Sequence, residues 1–433
     1  MTPETTIYVF VLAIWLLTTI QGIWALLDGF HFYGYVRRKL RRAGDPRAGE
    51  ATRQYRPKVA LILPCCGVDE RLEKTVAALR RQDYARYEVT FAFESTEDPA
   101  YAAIGRWTAA WRDLATRRVV AGPTEHRSQK IHNLLAAVGD LPDDCEVIVF
   151  LDSDAVPHDV WLNDLVAPLH DPGVGAATGF RWYTAAGGFA EGVRSAWNAA
   201  SLSLLHNDKT NFCWGGSTAI RRQTFERLDI ARRWDRALSD DYQVTRAVRD
   251  AGLRIVFVPQ ALLPTRERTT FRRFWTFARR QYVITHVCAP RIWLAGLILS
   301  ANFTTGASCL FALMIASAIG LIGDQTTTLV ALAGWAFILS LAGAKALIRQ
   351  LAVHRILRPP DVSWRDFVWD VVGVGPVGVV HLALFFASSR SRRFVWRDKV
   401  YEMISADETR VLPKHLAAGS PPKVTPEPAC PPQ

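Results

Sequence analysis

Residues 147–157, VIVFLDSDAVP, run as five consecutive apolar residues that stop on an Asp-Ser-Asp triplet. A short apolar run bounded by turn residues reads as a buried parallel strand. Open α/β sheets bind their ligands beyond the carboxyl ends of such strands. Asp152 and Asp154 are therefore expected at that rim, spaced to offer oxygens to a hard divalent cation that also takes phosphate oxygens. The triplet alone fits a solvated turn equally well, so its neighbours carry the decision.

Upstream, Val59–Leu63 and Glu88–Phe93 read as further strands, while Glu70–Gln82 and Ser128–Val138 carry helical spacing. Strand and helix signals that alternate in this way predict an α/β domain with a doubly wound, mostly parallel sheet. The domain is placed at residues 57–268.

Outside it the 433-residue chain is apolar, with 49% hydrophobic residues overall. Ile7–Leu27 is long enough to span a bilayer and ends without a small-residue cleavage site, so residues 1–30 read as a retained anchor. The basic run HFYGYVRRKLRR follows, with Arg37, Arg38, Lys39, Arg41 and Arg42, and residues 31–56 read as a basic juxtamembrane linker on the cytoplasmic side. Phe271, Phe274, Trp275, Ala278 and Tyr282 share one helical face against Arg272, Arg273, Arg279 and Arg280, which predicts an amphipathic interfacial helix over 269–290. Two apolar stretches around Gly323-Asp324-Gln325 predict a transmembrane hairpin over 291–349. Residues 350–403 read as a basic loop followed by a re-entrant or membrane segment. There GVGPVG at 373–378 should break a helix, and Asp370 and His381 call for burial against protein. The tail, 404–433, reads as disordered. The chain is thus expected to be an integral membrane protein with its α/β domain on the cytoplasmic face, of a bacterial inner membrane or a Golgi-type membrane.

A net charge of +11 beside apolar segments favours anionic lipid over nucleic acid, and seven cysteines without paired spacing point to free thiols. Oligomeric state has no signature here.

Three further clusters fit a site for a nucleoside diphosphate. Glu94 and Asp98 in FAFESTEDPA follow the second strand and offer acceptors for a base or ribose. Lys130 and Asn133 in SQKIHNL open a helix, where an ammonium and a helix N-terminus both suit phosphate. Asp240 and Asp241 in LSDDYQVTRAV open another, and one of them is a candidate general base. Each has a plain structural reading too, Asp240 and Asp241 as helix-capping residues above all.

The run PCCGVDERLEKTVAALRRQDYARYEV at 64–89 resembles the opening of ceramide glucosyltransferases, family 21 within the family 2 glycosyltransferase superfamily. The resemblance continues through Asp98-Pro99-Ala100, Lys130–Leu134, Asp152-Ser153 and Asp241-Tyr242, and returns at Trp396-Arg397 with Tyr401. It implies a GT-A-type fold with N-terminal and C-terminal transmembrane helices, and an inverting transfer of a hexose from a UDP-sugar to a lipid hydroxyl. By position, Glu94 or Asp98 would contact the nucleoside and Lys130 and Asn133 the nucleotide. Asp152 and Asp154 would handle the diphosphate and its Mg2+ or Mn2+, with Asp241 as base. Gly215, Gly216 and Ser217 match the loop under the acceptor. The Q/R-x-x-R-W signature survives only as FARRQYV, where Arg279, Arg280, Gln281 and Tyr282 keep cation and aromatic but not the spacing. Alternatives are a hopanoid or other isoprenoid acceptor, a processive polysaccharide synthase, and an inactive nucleotide-sugar sensor.

Overall fold

The computed structural model describes residues 2–44, 55–185 and 187–413. In chain order the elements are α1 (Pro3–Gly44), β1 (Val59–Pro64), α2 (Glu70–Arg80), β2 (Tyr87–Phe93), α3 (Pro99–Thr108), β3 (Thr116–Val120), α4 (Gln129–Gly139) and β4 (Val147–Leu151). Then come α5 (Trp161–Val166), β5 (Val174–Thr184), α6 (Phe189–Leu202), β6 (Ser217–Arg221), α7 (Arg222–Arg227), α8 (Ile230–Trp234), α9 (Asp240–Asp250) and β7 (Arg254–Arg266). The last third holds α10 (Phe271–Cys288), α11 (Pro290–Ala318), α12 (Gln325–Val353), α13 (Trp364–Val371), α14 (Val374–Ser389) and the strands β8 (Arg393–Trp396), β9 (Lys399–Met403) and β10 (Thr409–Leu412).

The apolar strand read from the sequence lies mid-sheet. Seven strands order as β3-β2-β1-β4-β6-β5-β7, all parallel except β6, which runs against both neighbours. Val59, Leu61, Val147 and Val149 are fully buried, as a sheet covered on both faces requires. The reversed β6 has a functional consequence: its first residue, Ser217, pairs with Leu151, the last of β4. The loop leading into β6 thereby lies against the Asp-Ser-Asp turn, and the Asp152 N–H donates to Gly216 C=O at 3.3 Å.

Among the described residues, three helices are long and apolar enough to cross a membrane, within Pro3–Arg42, Pro290–Ala318 and Gln325–Val353. The first also reaches the sheet domain. Its 42 residues extend about 63 Å, roughly twice a bilayer's hydrocarbon core. Phe32, Tyr35 and Val36 on its last turns are buried with Trp182 and Phe257 of the sheet domain. The linker expected over 31–56 is thus helical as far as Gly44 and docked over Phe32–Val36, because its aromatic residues find a core; residues 45–54 lie outside the described residues.

The helix at 271–288 also departs from a purely surface-lying reading. Phe274 and Ala278 are buried, packed with Val193, Trp197 and Leu384 of α6 and α14, while Phe271 stays exposed. Protein covers most of the face expected to meet lipid.

The break in the last apolar segment comes between α13 and α14, which meet at 67°. Pro376 lies in the first turn of α14, where its missing N–H costs no helical bond. Asp370 is 2% exposed and pairs with Arg349, and His381 bonds the Tyr282 hydroxyl. Both were expected to be covered by protein; Asp370 is buried, while His381 is half-buried. Both flanks of the segment contact the sheet domain. Asp366 accepts the Ala185 N–H at 2.5 Å, and beyond α14 the Tyr401 hydroxyl accepts the Gln129 N–H at 3.3 Å.

The expected disordered tail begins too early. Residues 409–412 form β10, paired with β9 in a three-stranded antiparallel sheet, and its Val411 N–H donates to Glu125 C=O at 3.0 Å. Residues 414–433 lie outside the described residues. Among those described, Cys65, Cys66, Cys145, Cys213, Cys288 and Cys309 are free thiols.

Candidate active site

A cavity of about 1100 Å³ opens at the carboxyl ends of β1, β2 and β4. It is lined by Glu94, Lys130, Asn133, Asp152, Asp154, Gly216, Asp240, Asp241, Arg280, Gln281 and Tyr282, so most of the residues singled out from the sequence converge on one space.

Its floor is a network of charges. Ser128 caps α4 by accepting the Ile131 N–H at 3.2 Å, which fixes Lys130 on the first turn. The Lys130 ammonium reaches Asp152 at 3.0 Å and Asp240 at 3.2 Å, tying the end of β4 to the start of α9. Burial works against that ammonium, but Asp152, Asp240 and Asp241 outweigh it and hold its pKa above the usual lysine value. Burial first, then the charges of Asp241 and Asp152, push Asp240 up to about 6 despite Lys130. Asp241 takes a different set of bonds. Its Oδ1 accepts the Tyr242 N–H at 2.8 Å and the Ser239 hydroxyl, and its Oδ2 accepts the Gly215 N–H at 3.4 Å.

The second half of the network was not anticipated. Arg181, 7% exposed within the buried run of β5, forks onto Asp154 with Nη2–Oδ1 at 2.5 Å and Nη1–Oδ2 at 2.9 Å, and stands 3.6 Å from Asp152. Arg71 approaches Asp154 at 3.6 Å and holds Glu267 at 3.0 Å, which also binds Arg194 at 2.8 Å. Burial would raise the Asp154 pKa, yet Arg181, then Arg71 and Arg397, keep it well below the usual carboxylate range. The signal available in the sequence was one arginine inside the apolar strand VGAATGFRWYT; a charge buried there needs a partner.

Three expected residues lie elsewhere. Asp98 caps α3, accepting the Ala100 N–H at 2.8 Å and the Gly67 N–H at 2.9 Å, and does not line the cavity. Glu94 alone of that pair faces it. Ser217 is fully buried behind Gly216, its hydroxyl accepting the Trp161 indole N–H at 3.1 Å. Arg279 staples α10 to the C-terminal segment through Ala387, Ser391 and Arg393 carbonyls at 3.1–3.2 Å. Arg280, unlike Arg279, lines the cavity, its guanidinium 4.8 Å from the Trp396 ring, and burial lowers its pKa to about 10.

Gly216 fits where a side chain would not. A Cβ there meets the Trp214 indole and stands 2.6 Å from Asp152 Oδ2. Gly216→Ala is expected to displace Asp152 and cut activity at least tenfold while the melting temperature moves little, measurable by turnover and thermal unfolding on one preparation.

Two adjacent-position carboxylates facing a cavity are the hard-oxygen donors a small divalent cation takes, alongside substrate phosphates. No group of three or more His, Cys, Asp or Glu side chains gathers to hold a metal among the described residues. Asp152 and Asp154 already hold Lys130 and Arg181, so a cation bound there would share these oxygens with the two side chains.

A mostly parallel sheet with one reversed strand, and acidic clusters at the ends of β4 and the start of α9, define a GT-A-type glycosyltransferase. The chain belongs to glycosyl transferase family 21, whose sequence description matches residues 22–408. Among solved structures it is similar to a mannosyltransferase from Pyrobaculum calidifontis in complex with GDP-Man and Mn2+, at 19% identity and TM-score 0.53, over 88% of this chain and 97% of that one. It also matches glucosyl-3-phosphoglycerate synthase from Mycobacterium tuberculosis in complex with Mn2+, UDP and phosphoglyceric acid, at 13% identity and TM-score 0.36, over 56% of this chain and 82% of that one.

Proposed function

We propose that the protein moves a hexose from a UDP-sugar to a lipid hydroxyl, with inversion, on the cytoplasmic face of a membrane. One observation carries the reading. The cavity that begins at Glu94 and Lys130 continues past Tyr282 to Cys288, Ile292, Trp293 and Gly296 of α10 and α11 and to Phe385 of α14. A polar donor end and an apolar end at a membrane-length helix suit a substrate with a hydroxyl head and a hydrocarbon body.

In this reading Glu94 accepts hydrogen bonds from the nucleoside, and Lys130 and Arg181 face the diphosphate. A divalent cation, held by Asp152 and Asp154, would neutralise the departing diphosphate; both Mg2+ and Mn2+ suit those donors. The acceptor oxygen forms its bond to the anomeric carbon as the carbon–oxygen bond to the diphosphate breaks. The hydroxyl proton passes to Asp241, whose Oδ2 is turned toward the Gly215-Gly216 loop. Lys130, linked to both Asp152 and Asp240, keeps the donor and the base side in one frame.

The basic flank Arg37–Arg42 supports the cytoplasmic placement. With α11 and α12 forming a hairpin, the start of the α13–α14 pair bonded to Ala185 and the strands after it bonded to Gln129, we take that pair as re-entrant rather than a span.

The test is transfer itself. Purified protein in lipid nanodiscs receives labelled UDP-glucose, UDP-galactose, UDP-N-acetylglucosamine or GDP-mannose, together with ceramide, hopanoid or polyprenol acceptors, and the lipid extract is read by mass spectrometry. A hexosylated lipid formed from one UDP-sugar is expected. Product only from GDP-mannose would overturn the donor assignment, a growing saccharide ladder would favour a polysaccharide synthase, and no product with any pair would favour a sensor.

A further inference from the structure

The three-stranded sheet at 393–412 comes after every membrane-length helix, yet it returns to the catalytic cavity. Phe394, Tyr401 and Met403 bury against Leu238, just before the Asp240-Asp241 pair, and against Val283 and Ile284 of α10. Gln243 of α9 donates to Ala406 C=O at 2.7 Å and to Asp407 at 2.9 Å. The sheet is therefore fixed to the base-bearing helix from two sides.

Its β8–β9 turn is tight. Trp396 pairs with Lys399, leaving Arg397 and Asp398 as the two turn residues, and Arg397 holds φ 58°, as a two-residue hairpin turn demands. Arginine gains nothing locally from that left-handed conformation, where glycine or asparagine would be relaxed. What the position provides is reach: Trp396, Arg397 and Lys399 all line the cavity, and the Arg397 charge is felt at Asp154. Lys399 crosses to the opposite wall, its ammonium 2.7 Å from Glu94 Oε1 and 2.8 Å from Gln129 Oε1. The Tyr401 hydroxyl accepts the Gln129 N–H at 3.3 Å.

From this placement we propose that the C-terminal hairpin is part of the donor site: Arg397 binds the diphosphate of the sugar nucleotide, and Lys399 positions the Glu94 carboxylate for the nucleoside. The inference rests on the glycosyltransfer reading above. It adds that a segment beyond the membrane helices completes the nucleotide pocket. A turn residue in a costly backbone conformation, aimed into a cavity that holds two aspartates for a diphosphate-bound cation, is a cation kept for phosphate.

Calorimetric titration of UDP, with Mg2+ present, into the full chain in nanodiscs tests both roles. Wild type is compared with Arg397→Gln, Arg397→Lys, Lys399→Met and Lys399→Arg. Because the hairpin core at Phe394 and Tyr401 is untouched, all four should melt with wild type. Loss of one charge-assisted contact predicts UDP affinity about tenfold or more weaker in Arg397→Gln. Arg397→Lys should recover part of the loss. Lys399→Met should weaken UDP binding with rescue by Lys399→Arg, and uridine alone should show the Lys399 effect but not the Arg397 effect. If wild type binds UDP and Arg397→Gln binds it equally, the hairpin assignment is wrong while the transfer reading stands. If wild type binds no UDP, the assignment and the UDP-donor reading fall together.

Discussion

Asp241→Asn is expected to lower turnover by about two to four orders of magnitude, the usual contribution of a general base, with UDP affinity close to wild type. The carboxylate is set apart from its neighbour by what holds it. Its oxygens take a backbone N–H from Gly215, a backbone N–H from Tyr242 and the Ser239 hydroxyl. None of these donors is a cation. An amide oxygen can keep the Oδ1 bonds, so the helix start should survive; only the long 3.4 Å bond from the Gly215 N–H is given up, and the variant loses a proton acceptor more than a structural strut. Measuring single-turnover rates beside UDP binding separates the two. Undiminished turnover would remove Asp241 from the base role.

Asp240→Asn should behave differently, and the contrast sharpens the assignment. Asp240 is 6% exposed and lies 3.2 Å from Lys130. Removing its charge leaves a buried ammonium relying on Asp152, so nucleotide affinity and thermal stability should both fall along with activity. In the proposed mechanism the two adjacent aspartates would divide the labour: one keeps Lys130 in register, the other meets the acceptor. A sequence cannot make that division, because both residues occupy the first turn of a helix, where carboxylates are favoured whatever they do.

The parts of the fold legible in the sequence share one property: their signal is local. VIVFLDSDAVP became β4 and its turn, and Val59–Leu63, Glu88–Phe93 and Ser128–Val138 became β1, β2 and α4 within a residue or two. The membrane-length helices were legible by length and apolarity alone. The reversal of β6 was not, since nothing in STAIR distinguishes a strand direction. Nor were contacts between distant segments: the docking of Phe32, Tyr35 and Val36, the Arg181–Asp154 fork, and the return of β10 to Glu125 each depend on partners far along the chain. Asp98 and Arg279 show the converse error. They carry the right chemistry at nearly the right position, yet a helix cap claims one and three carbonyls claim the other.

The joint between the membrane helices and the catalytic domain should prove the most sensitive point for stability, through Asp370. Arg349 of α12, 6% exposed, donates from Nε to Asp370 Oδ2 at 3.0 Å and from Nη2 to Asp370 Oδ1, while Nη1 reaches the Ser203 hydroxyl at 3.0 Å just past α6. Gln350 adds a donor to Asp370 Oδ2 at 2.8 Å. Four hydrogen bonds thus join α12 to the bent α13–α14 pair and to the sheet domain. Asp370→Ala leaves the guanidinium buried with only a hydroxyl for company, a change that typically costs about 3–5 kcal/mol. It should show as a large drop in melting temperature and poor recovery of monodisperse protein after solubilisation. The double variant Arg349→Met with Asp370→Leu removes both charges and should regain much of the loss, because an apolar pair of similar volume has no desolvation to offset. Disrupting the exposed Lys74–Glu70 pair, side chains 60% and 80% accessible, should leave the transition where it is. Should Asp370→Ala melt with the wild type, this joint does not hold the two halves together, and the docked face of α1 would have to do so instead.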